Sequence, residues 1–478
     1  MEHGAQADHE DVDVLIVGAG VVGCAIAREL ARRPGLRIAL LDAADDVGSG
    51  TSKANTAILH TGFDATPGSI ESRLVARGYH LLGDYASACG IAVERTGALL
   101  VAWDDEQLAA LPALARKAEA NGYRRARQVG VQELYGREPR LGPGALGALE
   151  VPGESVIDPW TPSHAFAGQA VRAGVQLRLR TRVTAIRPGP DGRHEVITRP
   201  TAAGGSTGSG RFVATHLVNA AGLSSDEIDR LLGFSHFTVT PRRGQLIVFD
   251  KAARSLVGHI LLPVPSSLGK GVLVAPTVFG NVLLGPTAED LTDRTATGTT
   301  AEGIAFLRGK GERILPALLA EEVTTVYAGL RAATEHADYQ LRGQPQARYV
   351  CVGGIRSTGL TASMAIAEEV AGLLGEAGLP LGPARELDPV PMPPLGEQAL
   401  RPYQDAARVA ADPLYGLIVC HCERVTAGEL RDARAAAVPA TTIDGLRRRT
   451  RAGLGRCQGF ACGSAIRALL GQGAGREH

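Results

Sequence analysis

The 478-residue sequence lacks the features that direct a protein to a nucleic acid or into a membrane. Its 50 basic and 50 acidic residues cancel, so no excess of charge predicts a polyanionic partner. No window approaches the ~18 consecutive apolar residues of a transmembrane helix. Met1 to Glu10 is polar and acidic, without the basic and apolar regions of a signal peptide. We therefore expect no nucleic-acid partner, no transmembrane segment and a cytoplasmic location.

Cysteine is scarce and unevenly placed. Three of the seven cysteines lie alone in apolar stretches, where buried small hydrophobic residues are expected: Cys24, Cys89 and Cys351. The other four fall in the last 60 residues: Cys420, Cys422, Cys457 and Cys462. In a reducing compartment such a group indicates a metal site before disulfides.

The N-terminal stretch has the pattern of a β-α-β unit. An apolar run from Val12 to Val17 predicts a buried parallel strand. Val21 to Ala31 predicts a helix, and Ile38 to Leu41 predicts a second strand. With 45% hydrophobic residues, the chain is long enough for two or three domains with a large core.

Three glycines follow the first strand in the spacing G-x-G-x-x-G: Gly18, Gly20 and Gly23. The first permits a tight turn, the second lets a pyrophosphate approach the backbone, and the third lets helix and strand pack closely. The helix dipole would face the phosphates. Asp42 ends the second strand, where an acid binds ribose hydroxyls. Together these features predict a dinucleotide site.

Helical and strand patterns continue along the chain. Helices are predicted at 68–88, 106–121, 162–173, 426–435 and 442–449, and strands at 97–103, 175–180, 182–187, 194–199, 212–218 and 348–352. The stretch 353–363 is predicted to open a further helix that ends at about 374. Short strands at 244–249, 271–275 and 281–284 predict an antiparallel sheet beside the nucleotide domain. The Gly/Ser-rich stretch 201–210 predicts an exposed hairpin tip, and the Pro-rich stretch 380–394 a semi-rigid linker.

Several further motifs are familiar as a set. They are Gly50-Thr51-Ser52-Lys53-Ala54-Asn55, Ile58-Leu59-His60, Asn219-Ala220-Ala221-Gly222 and Gly354-Ile355-Arg356-Ser357-Thr358-Gly359-Leu360-Thr361. With the fingerprint, they resemble the FAD-dependent oxidoreductases of the D-amino-acid oxidase superfamily over about 12–375. The branch of anaerobic glycerol-3-phosphate dehydrogenase and L-2-hydroxyglutarate oxidase looks most similar. The tail, with the motifs at 418–423 and 455–463, resembles the bacterioferritin-associated-ferredoxin-like [2Fe-2S] domain.

The resemblance implies an α/β fold (α+β overall): a Rossmann-type FAD-binding domain, an inserted antiparallel-sheet substrate domain, and a small helical C-terminal iron–sulfur module. The flavoprotein body would span 11–376, with FAD-binding segments at about 11–105, 150–235 and 345–376 and substrate-domain segments at about 106–149 and 236–344. A linker would follow at 377–414 and the [2Fe-2S] domain at 415–474.

The cofactors implied are non-covalent FAD and a [2Fe-2S] cluster. The residues expected to bind FAD are Gly18, Gly20, Gly23, Asp42, Thr51, Ser52, Asn55, Val183, Ala221, Gly222, Gly354, Gly359, Leu360 and Thr361. The expected cluster ligands are the four tail cysteines. Zinc is the rival, but a C-x-C arm with a C-x4-C arm does not match the usual C-x2–4-C pairs of zinc sites. Nor is it a standard ferredoxin spacing, so the cluster type depends on the resemblance.

Three side chains are candidates for the chemistry. Arg331 and Arg356 lie where the family carries substrate-binding residues, and a guanidinium suits a carboxylate or phosphate. His60 follows the loop expected to meet the flavin and could accept the hydroxyl proton; a structural histidine is the alternative. Lys270 fits a solvated turn lysine better. His336 and Tyr339 are weaker candidates for the chemistry.

The tail also carries five arginines near its cysteines: Arg447, Arg448, Arg449, Arg451 and Arg456. Cations close to an anionic cluster could raise its reduction potential. A solvated face explains the same residues almost as well.

The sequence thus predicts an FAD enzyme that oxidises a C–OH bond of a small anionic substrate, with glycerol 3-phosphate first. L-2-hydroxyglutarate or another 2-hydroxy acid follows, and an amine or opine is third. Electrons would pass through the [2Fe-2S] cluster to a quinone or a partner subunit. Any association with a membrane would be through that partner subunit. The non-enzyme alternative is an electron-transfer or redox-sensing subunit.

Overall fold

The computed structural model describes residues 9–201, 210–265, 271–397 and 399–471. Most of the predicted hairpin tip at 201–210, and Lys270, fall outside them. The helices are α1 (Val21–Ala31), α2 (Ile70–Cys89), α3 (Asp105–Ala120), α4 (Val131–Arg137), α5 (Thr161–Arg172), α6 (Ser225–Leu231), α7 (Ala301–Ile314), α8 (Gly359–Glu376), α9 (Ala406–Ala411), α10 (Ala427–Ala435), α11 (Ile443–Thr450) and α12 (Gly463–Leu469).

The strands, in chain order, are β1 (Glu10–Val17), β2 (Ile38–Leu41), β3 (Ile58–Leu59), β4 (Val93–Glu94), β5 (Ala98–Ala102), β6 (Arg127–Gly130), β7 (Gly147–Val151), β8 (Ser155–Ile157), β9 (Gln176–Arg178), β10 (Thr181–Pro188), β11 (His194–Pro200), β12 (Gly210–Asn219), β13 (Thr240–Phe249), β14 (Ile260–Pro263), β15 (Leu273–Pro276), β16 (Val282–Gly285), β17 (Glu289–Asp290), β18 (Val323–Ala333), β19 (Gln340–Gln344), β20 (Tyr349–Gly353), β21 (Ile418–Cys420) and β22 (Val425–Thr426).

The first sheet is built around β1, which pairs in parallel with β12 and with β2. The strand order is β10-β11-β12-β1-β2-β9, with β20 beside β12 and β19 beside β20. Helix α1 is buried nearly all round because it packs against α5 and α8. The helix at Val21–Ala31 and the strand at Ile38–Leu41 have the predicted bounds, so the Rossmann-type unit is confirmed.

The second sheet has the order β17-β13-β16-β15-β14-β5-β7-β6, with β18 on the other edge of β13. Its pairs are antiparallel except β14 with β5. The predicted antiparallel sheet is therefore confirmed, although β18 and α7 were not predicted. An apolar core that includes Phe249, Leu284 and Leu307 lies between this sheet and α7.

Two strands, β5 and β19, lie in the sheet opposite to the one expected from their segments. Three strands of the expected FAD-binding segments form a separate small sheet of order β3-β8-β4. Strand β5, at 98–102, was expected in the FAD-binding segment but pairs with β7 and β14 of the second sheet. Strand β19, at 340–344, was expected in the substrate segment but pairs with β20 of the first sheet. Both strands lie close to an expected boundary, where the chain crosses from one sheet to the other.

The Pro-rich segment lies along the flavoprotein body. Its backbone carbonyl at Asp388 accepts a hydrogen bond from Gln169 Nε2 at 2.7 Å, and Met392 N donates to Cys89 O at 2.8 Å. Leu395 is buried. Proline deprives the segment of amide donors, yet enough groups remain to bind it in place. The segment predicted as a linker is thus packed against the flavoprotein body and does not act only as a spacer.

The C-terminal module has a small core of its own, which includes Val425, Leu430, Leu446 and Ile466. Helices α10 and α11 occur within a residue of their predicted bounds. In the part of the chain that is described, we find no helix with the length and apolarity needed to cross a bilayer.

Candidate active site and cofactor sites

A cavity of about 780 Å³ opens where β1, β2 and β12 end beside the first turns of α1 and α8. Twelve of the fourteen predicted FAD residues line it: Gly18, Gly20, Asp42, Thr51, Ser52, Asn55, Val183, Ala221, Gly222, Gly354, Gly359 and Leu360. The carboxyl ends of parallel strands are where this fold binds dinucleotides. That each of these residues binds FAD stays a prediction.

The three glycines of the fingerprint are required for different steric reasons. Gly18 has a φ of +104°, and a Cβ on it would lie 2.4 Å from the carbonyl oxygen of Ala220. A Cβ on Gly23 would lie 1.8 Å from the oxygen of Gly18, so Gly23 lets α1 pack on β1 and does not line the cavity. Gly20 would place a side chain only 3.3 Å from Ser52 Oγ, and it borders the cavity directly.

Asp42 closes the turn after β2. Its carboxylate accepts hydrogen bonds from the amides of Ala19 at 2.6 Å and Ala44 at 2.7 Å. Burial raises the pKa of Asp42, and these two amides oppose the rise. The carboxylate borders the cavity, so an oxygen lone pair is available for a ribose hydroxyl.

The loop from Gly50 to Asn55 joins the two sheets. Ser52 Oγ accepts from Val21 N, the first amide of α1, at 3.0 Å. Thr51 Oγ1 donates to Leu330 O of β18 at 2.7 Å. A Cβ on Gly329 would lie 2.4 Å from Ala54 O, so glycine lets this strand approach the loop.

The start of α8 forms the opposite wall. Gly354 has a φ of +64° and turns the chain after β20. Leu360 lines the cavity, whereas Thr361 is fully buried behind it. Thr361 Oγ1 accepts a hydrogen bond from His60 N at 3.0 Å. Thr361 therefore connects α8 to the loop that carries His60.

Arg331 lies on β18, on the face that also carries Gly329 and Tyr327, because alternate strand residues share a face. Tyr327 OH donates to Asn55 O at 2.8 Å, so this face is turned towards the cofactor loop. Burial and the nearby charge of Arg242 lower the pKa of Arg331. Among the described residues its guanidinium has a single hydrogen bond, to Thr287 O at 3.4 Å, and no carboxylate partner.

Arg356 lines the cavity on the loop before α8. Its guanidinium donates to the carbonyl oxygen of Ala337 and lies 3.5 Å from Glu71 Oε2. Thr358 Oγ1 donates to the other oxygen of Glu71 at 2.7 Å. Arg356 is thus already partnered, and Arg331 is the freer candidate for a substrate anion.

His60 is paired with an acid that the sequence did not single out. His60 Nδ1 lies 2.9 Å from Glu154 Oε2, and the Glu154 side chain is fully buried. Glu154 lies 94 residues further along the chain, in the turn between β7 and β8. No local pattern marked it, because only the pairing of β3 with β8 brings the two residues together. His336 lies on an exposed turn and Tyr339 is buried against Thr358.

The four tail cysteines lie close together, with two direct contacts among them. Cys422 contacts Cys457, and Cys462 contacts Cys420. The amides of Ala461, Gly459 and Phe460 lower the pKa of Cys457, and Gly453 N donates to Cys420 Sγ at 3.4 Å. Thiolates held by backbone amides suit an iron–sulfur cluster. Within the described ranges, no group of three or more His, Cys, Asp or Glu side chains is arranged to hold a single metal ion.

Most arginines of the module are already neutralised. Arg448 and Arg449 bind Asp46, Arg451 binds Glu423, and Arg456 binds Asp250. The solvated-face alternative is therefore wrong for the three buried residues Arg448, Arg449 and Arg451. Arg447 instead lies against the cluster loop, since a Cβ on Gly459 would be 3.4 Å from its Nη2.

The module docks on the loop that borders the cavity. Arg449 binds both oxygens of Asp46, at 2.6 and 2.8 Å, and Arg448 binds one at 2.7 Å. Burial alone would raise the pKa of Asp46, but Arg449 and His164 hold it far below its usual range. Burial and Arg449 lower the pKa of His164 to about 4. Asp46 follows Asp42 and precedes the cavity-lining residues 49–52.

Comparison with known proteins agrees with both sites. Residues 13–373 match the family of FAD dependent oxidoreductases (DAO), and residues 418–472 match the BFD-like [2Fe-2S] binding domain. A glycerol 3-phosphate dehydrogenase of Caloramator mitchellensis is 35% identical over 97% of this chain and 95% of its own length. The mitochondrial L-2-hydroxyglutarate dehydrogenase of Bos taurus is 29% identical over 60% of this chain and 62% of its own.

A glycerol 3-phosphate oxidase of Mycoplasma pneumoniae is 31% identical over 76% of this chain and 95% of its own length. The solved structure of an L-alpha-glycerophosphate oxidase from the same species, dithionite-reduced and with FAD bound, matches with a TM-score of 0.71. It covers 77% of this chain and 95% of that one. The cofactors of this chain are therefore FAD and a [2Fe-2S] cluster. The chain belongs to the DAO family of FAD-dependent oxidoreductases and carries a BFD-like [2Fe-2S] binding domain after its flavoprotein body.

Proposed function

We propose that the chain is a dehydrogenase that oxidises glycerol 3-phosphate and passes the electrons through its [2Fe-2S] cluster to a quinone or a partner redox subunit. The observation that carries the proposal is Arg331, a largely buried guanidinium without a carboxylate partner in the described structure. It lies beside the cofactor loop, where a buried cation requires an anionic ligand. The glycerol 3-phosphate dehydrogenase of Caloramator mitchellensis, similar over 97% of this chain, supports the substrate.

The roles of the residues follow from their positions. Arg331 binds the substrate phosphate and so orients the C–OH group. His60 accepts the hydroxyl proton as the carbon is oxidised. FAD, when bound, accepts the carbon-bound hydrogen with its electron pair. The first sheet, with the cavity residues, forms the FAD-binding domain, and the second sheet forms the substrate domain.

The iron–sulfur module is the proposed electron outlet. The alignment with the dehydrogenase covers 97% of the chain and so includes the module, whereas the relatives named oxidases align over 76%. Its docking through Asp46 places it against the loop that borders the FAD cavity. A fixed position suits transfer of electrons from flavin to cluster. We propose that this takes place in the cytoplasm.

Anaerobic titration of the holoenzyme tests the substrate. Glycerol 3-phosphate should bleach the flavin absorbance at lower concentration than L-2-hydroxyglutarate, other 2-hydroxy acids or amines. L-2-hydroxyglutarate is the second candidate, because the bovine dehydrogenase named for it aligns over 60% of the chain and Arg331 would also suit its carboxylates. Bleaching by L-2-hydroxyglutarate alone would reassign the substrate. Bleaching by none would favour an electron-transfer subunit.

Arg331→Ala tests the anion site. Loss of a charge-assisted pair costs about 1.5–3 kcal/mol, so KM should rise about tenfold to a hundredfold, with FAD content unchanged. Arg331→Lys should restore part of the affinity, because an ammonium lacks the guanidinium fork. Arg242→Ala is the matched control, since Arg242 lies opposite on β13 but already binds Asp290. An equal effect of both substitutions would contradict a specific site at Arg331.

A further inference from the structure

Hydrogen bonds fix the carboxylate of Glu154 beside His60, the proposed proton acceptor. Glu154 is fully buried and takes part in three hydrogen bonds among the described residues. Thr61 donates twice to Oε1, from its amide at 2.6 Å and from its hydroxyl at 2.8 Å. His60 Nδ1 lies 2.9 Å from Oε2. A carboxylate with three partners of this kind has a fixed position.

This arrangement favours one tautomer of His60. A carboxylate accepts hydrogen bonds, so the pairing of Glu154 with Nδ1 favours a proton on Nδ1. The lone pair is then on Nε2, at the opposite side of the ring. The His60 side chain is 18% exposed while Glu154 is not exposed at all, so the accessible part of the pair belongs to His60. The amide of His60 is held by Thr361 beside the cavity-lining Leu360.

We propose that Glu154 is a positioning residue that keeps His60 in the Nδ1–H tautomer, with Nε2 free to accept the substrate hydroxyl proton. This inference rests on the proposed oxidation of a C–OH bond. In that reaction the hydroxyl proton goes to His60 Nε2, and the carbon-bound hydrogen leaves with its electron pair to FAD. The C–O bond becomes a carbonyl. On protonation, the imidazolium holds its second proton on Nδ1, where the Glu154 carboxylate stabilises it.

Glu154→Gln tests the proposal in the holoenzyme. The new amide can donate to Nδ1 and so favour the Nε2–H tautomer, which cannot accept the proton. The rate of anaerobic flavin reduction should fall about 10²–10⁴-fold, the usual contribution of a general base. The substrate Kd, taken from the concentration dependence of that rate, should change less than about threefold. Glu154→Asp should restore part of the rate.

The chain contains a matched control. Glu138 is also buried and accepts from His259 Nδ1 at 2.6 Å and from two backbone amides, those of Gly258 and His259. His60 and Glu154 do not line the cavity themselves, but His60 N donates to Thr361, the neighbour of the cavity-lining Leu360. Glu138 and His259 have no such bond among the described residues. Glu138→Gln should lower Tm as Glu154→Gln does, without slowing flavin reduction. The double variant His60→Gln/Glu154→Gln should be no slower than His60→Gln alone, because residues that act as a unit are non-additive.

A measurement without substrate separates this proposal from the proposed function. Nitrogen-15 NMR of histidine-labelled protein, assigned with His60→Gln, should show His60 as the Nδ1–H tautomer in the wild type and as Nε2–H in Glu154→Gln. If no hydroxy substrate reduces the wild-type flavin, the proposed function fails and the tautomer still tests Glu154. A wild-type Nε2–H tautomer, or a Glu154→Gln variant with the wild-type reduction rate, would overturn the proposal.

Discussion

Arg449→Met should weaken FAD binding although Arg449 lies more than 400 positions after the fingerprint. Its guanidinium binds both oxygens of Asp46, and both side chains are almost fully buried. Methionine keeps much of the volume and removes the charge. Asp46 would then retain Arg448, the amide of Val47 at 2.9 Å and the more distant His164, 3.8 Å away. We expect the loop from Asp42 to Ser52 to lose part of its fixed geometry.

The structure bounds the size of this effect. Removing one partner of a buried ion pair costs about 3–5 kcal/mol. If a cost of about 4 kcal/mol acted entirely on the conformation of the cavity loop that binds FAD, the affinity for FAD would fall about a thousandfold. Part of the cost will instead be expressed as weaker docking of the module. The expected rise in the Kd for FAD is therefore between about tenfold and a thousandfold.

The assay is titration of FAD into apoprotein, followed by quenching of flavin fluorescence, with iron content and the EPR signal reporting the state of the module. Arg456→Met is the control, because Arg456 also joins module and body but is 59% exposed. It should leave the Kd for FAD nearly unchanged. If Arg449→Met retains the cluster and binds FAD with wild-type affinity, the ion pair does not order the cavity loop.

The remaining predictions concern the two cofactors and pH. Gly20→Val should fold but release FAD on gel filtration, because its side chain would occupy the phosphate side of the cavity; full retention would refute the assignment of that wall. Cys457→Ser should remove iron, sulfide and the EPR signal while substrate still bleaches the flavin, since no cysteine of the module contributes to the Asp46 junction; stoichiometric zinc in anaerobically handled wild type would refute the cluster. His164 has a pKa of about 4 in the folded protein, against an ordinary 6.5. Between these two pH values it takes up its proton mainly on unfolding. The free energy of unfolding should therefore fall by about 3 kcal/mol as pH drops from 6.5 to 4. His164→Gln should flatten urea-unfolding stability over that window, and an unchanged pH dependence would contradict the buried neutral histidine.

The sequence by itself determined the elements whose signals are local. The run from Val12 to Val17, the spaced glycines and Asp42 lie within about thirty residues, so their chemistry is readable without the fold. Helix α1 and strand β2 occur at the predicted bounds for that reason. The four cysteines were equally readable, because few uses other than metal binding explain them in a reducing compartment.

Tertiary structure decided what depends on distant pairing. Strand β18 carries Arg331, yet its eleven residues became recognisable as a strand only through their pairing along β13. Glu154 meets His60 because β3 pairs with β8, and Asp46 meets Arg449 because the C-terminal module folds back onto the cavity loop. Long-range contacts of this kind leave no periodic pattern in the chain, since each partner is a single polar residue. The tail is therefore not a separate appendage, as its Pro-rich linker predicted, but is joined to the flavin site by buried charge.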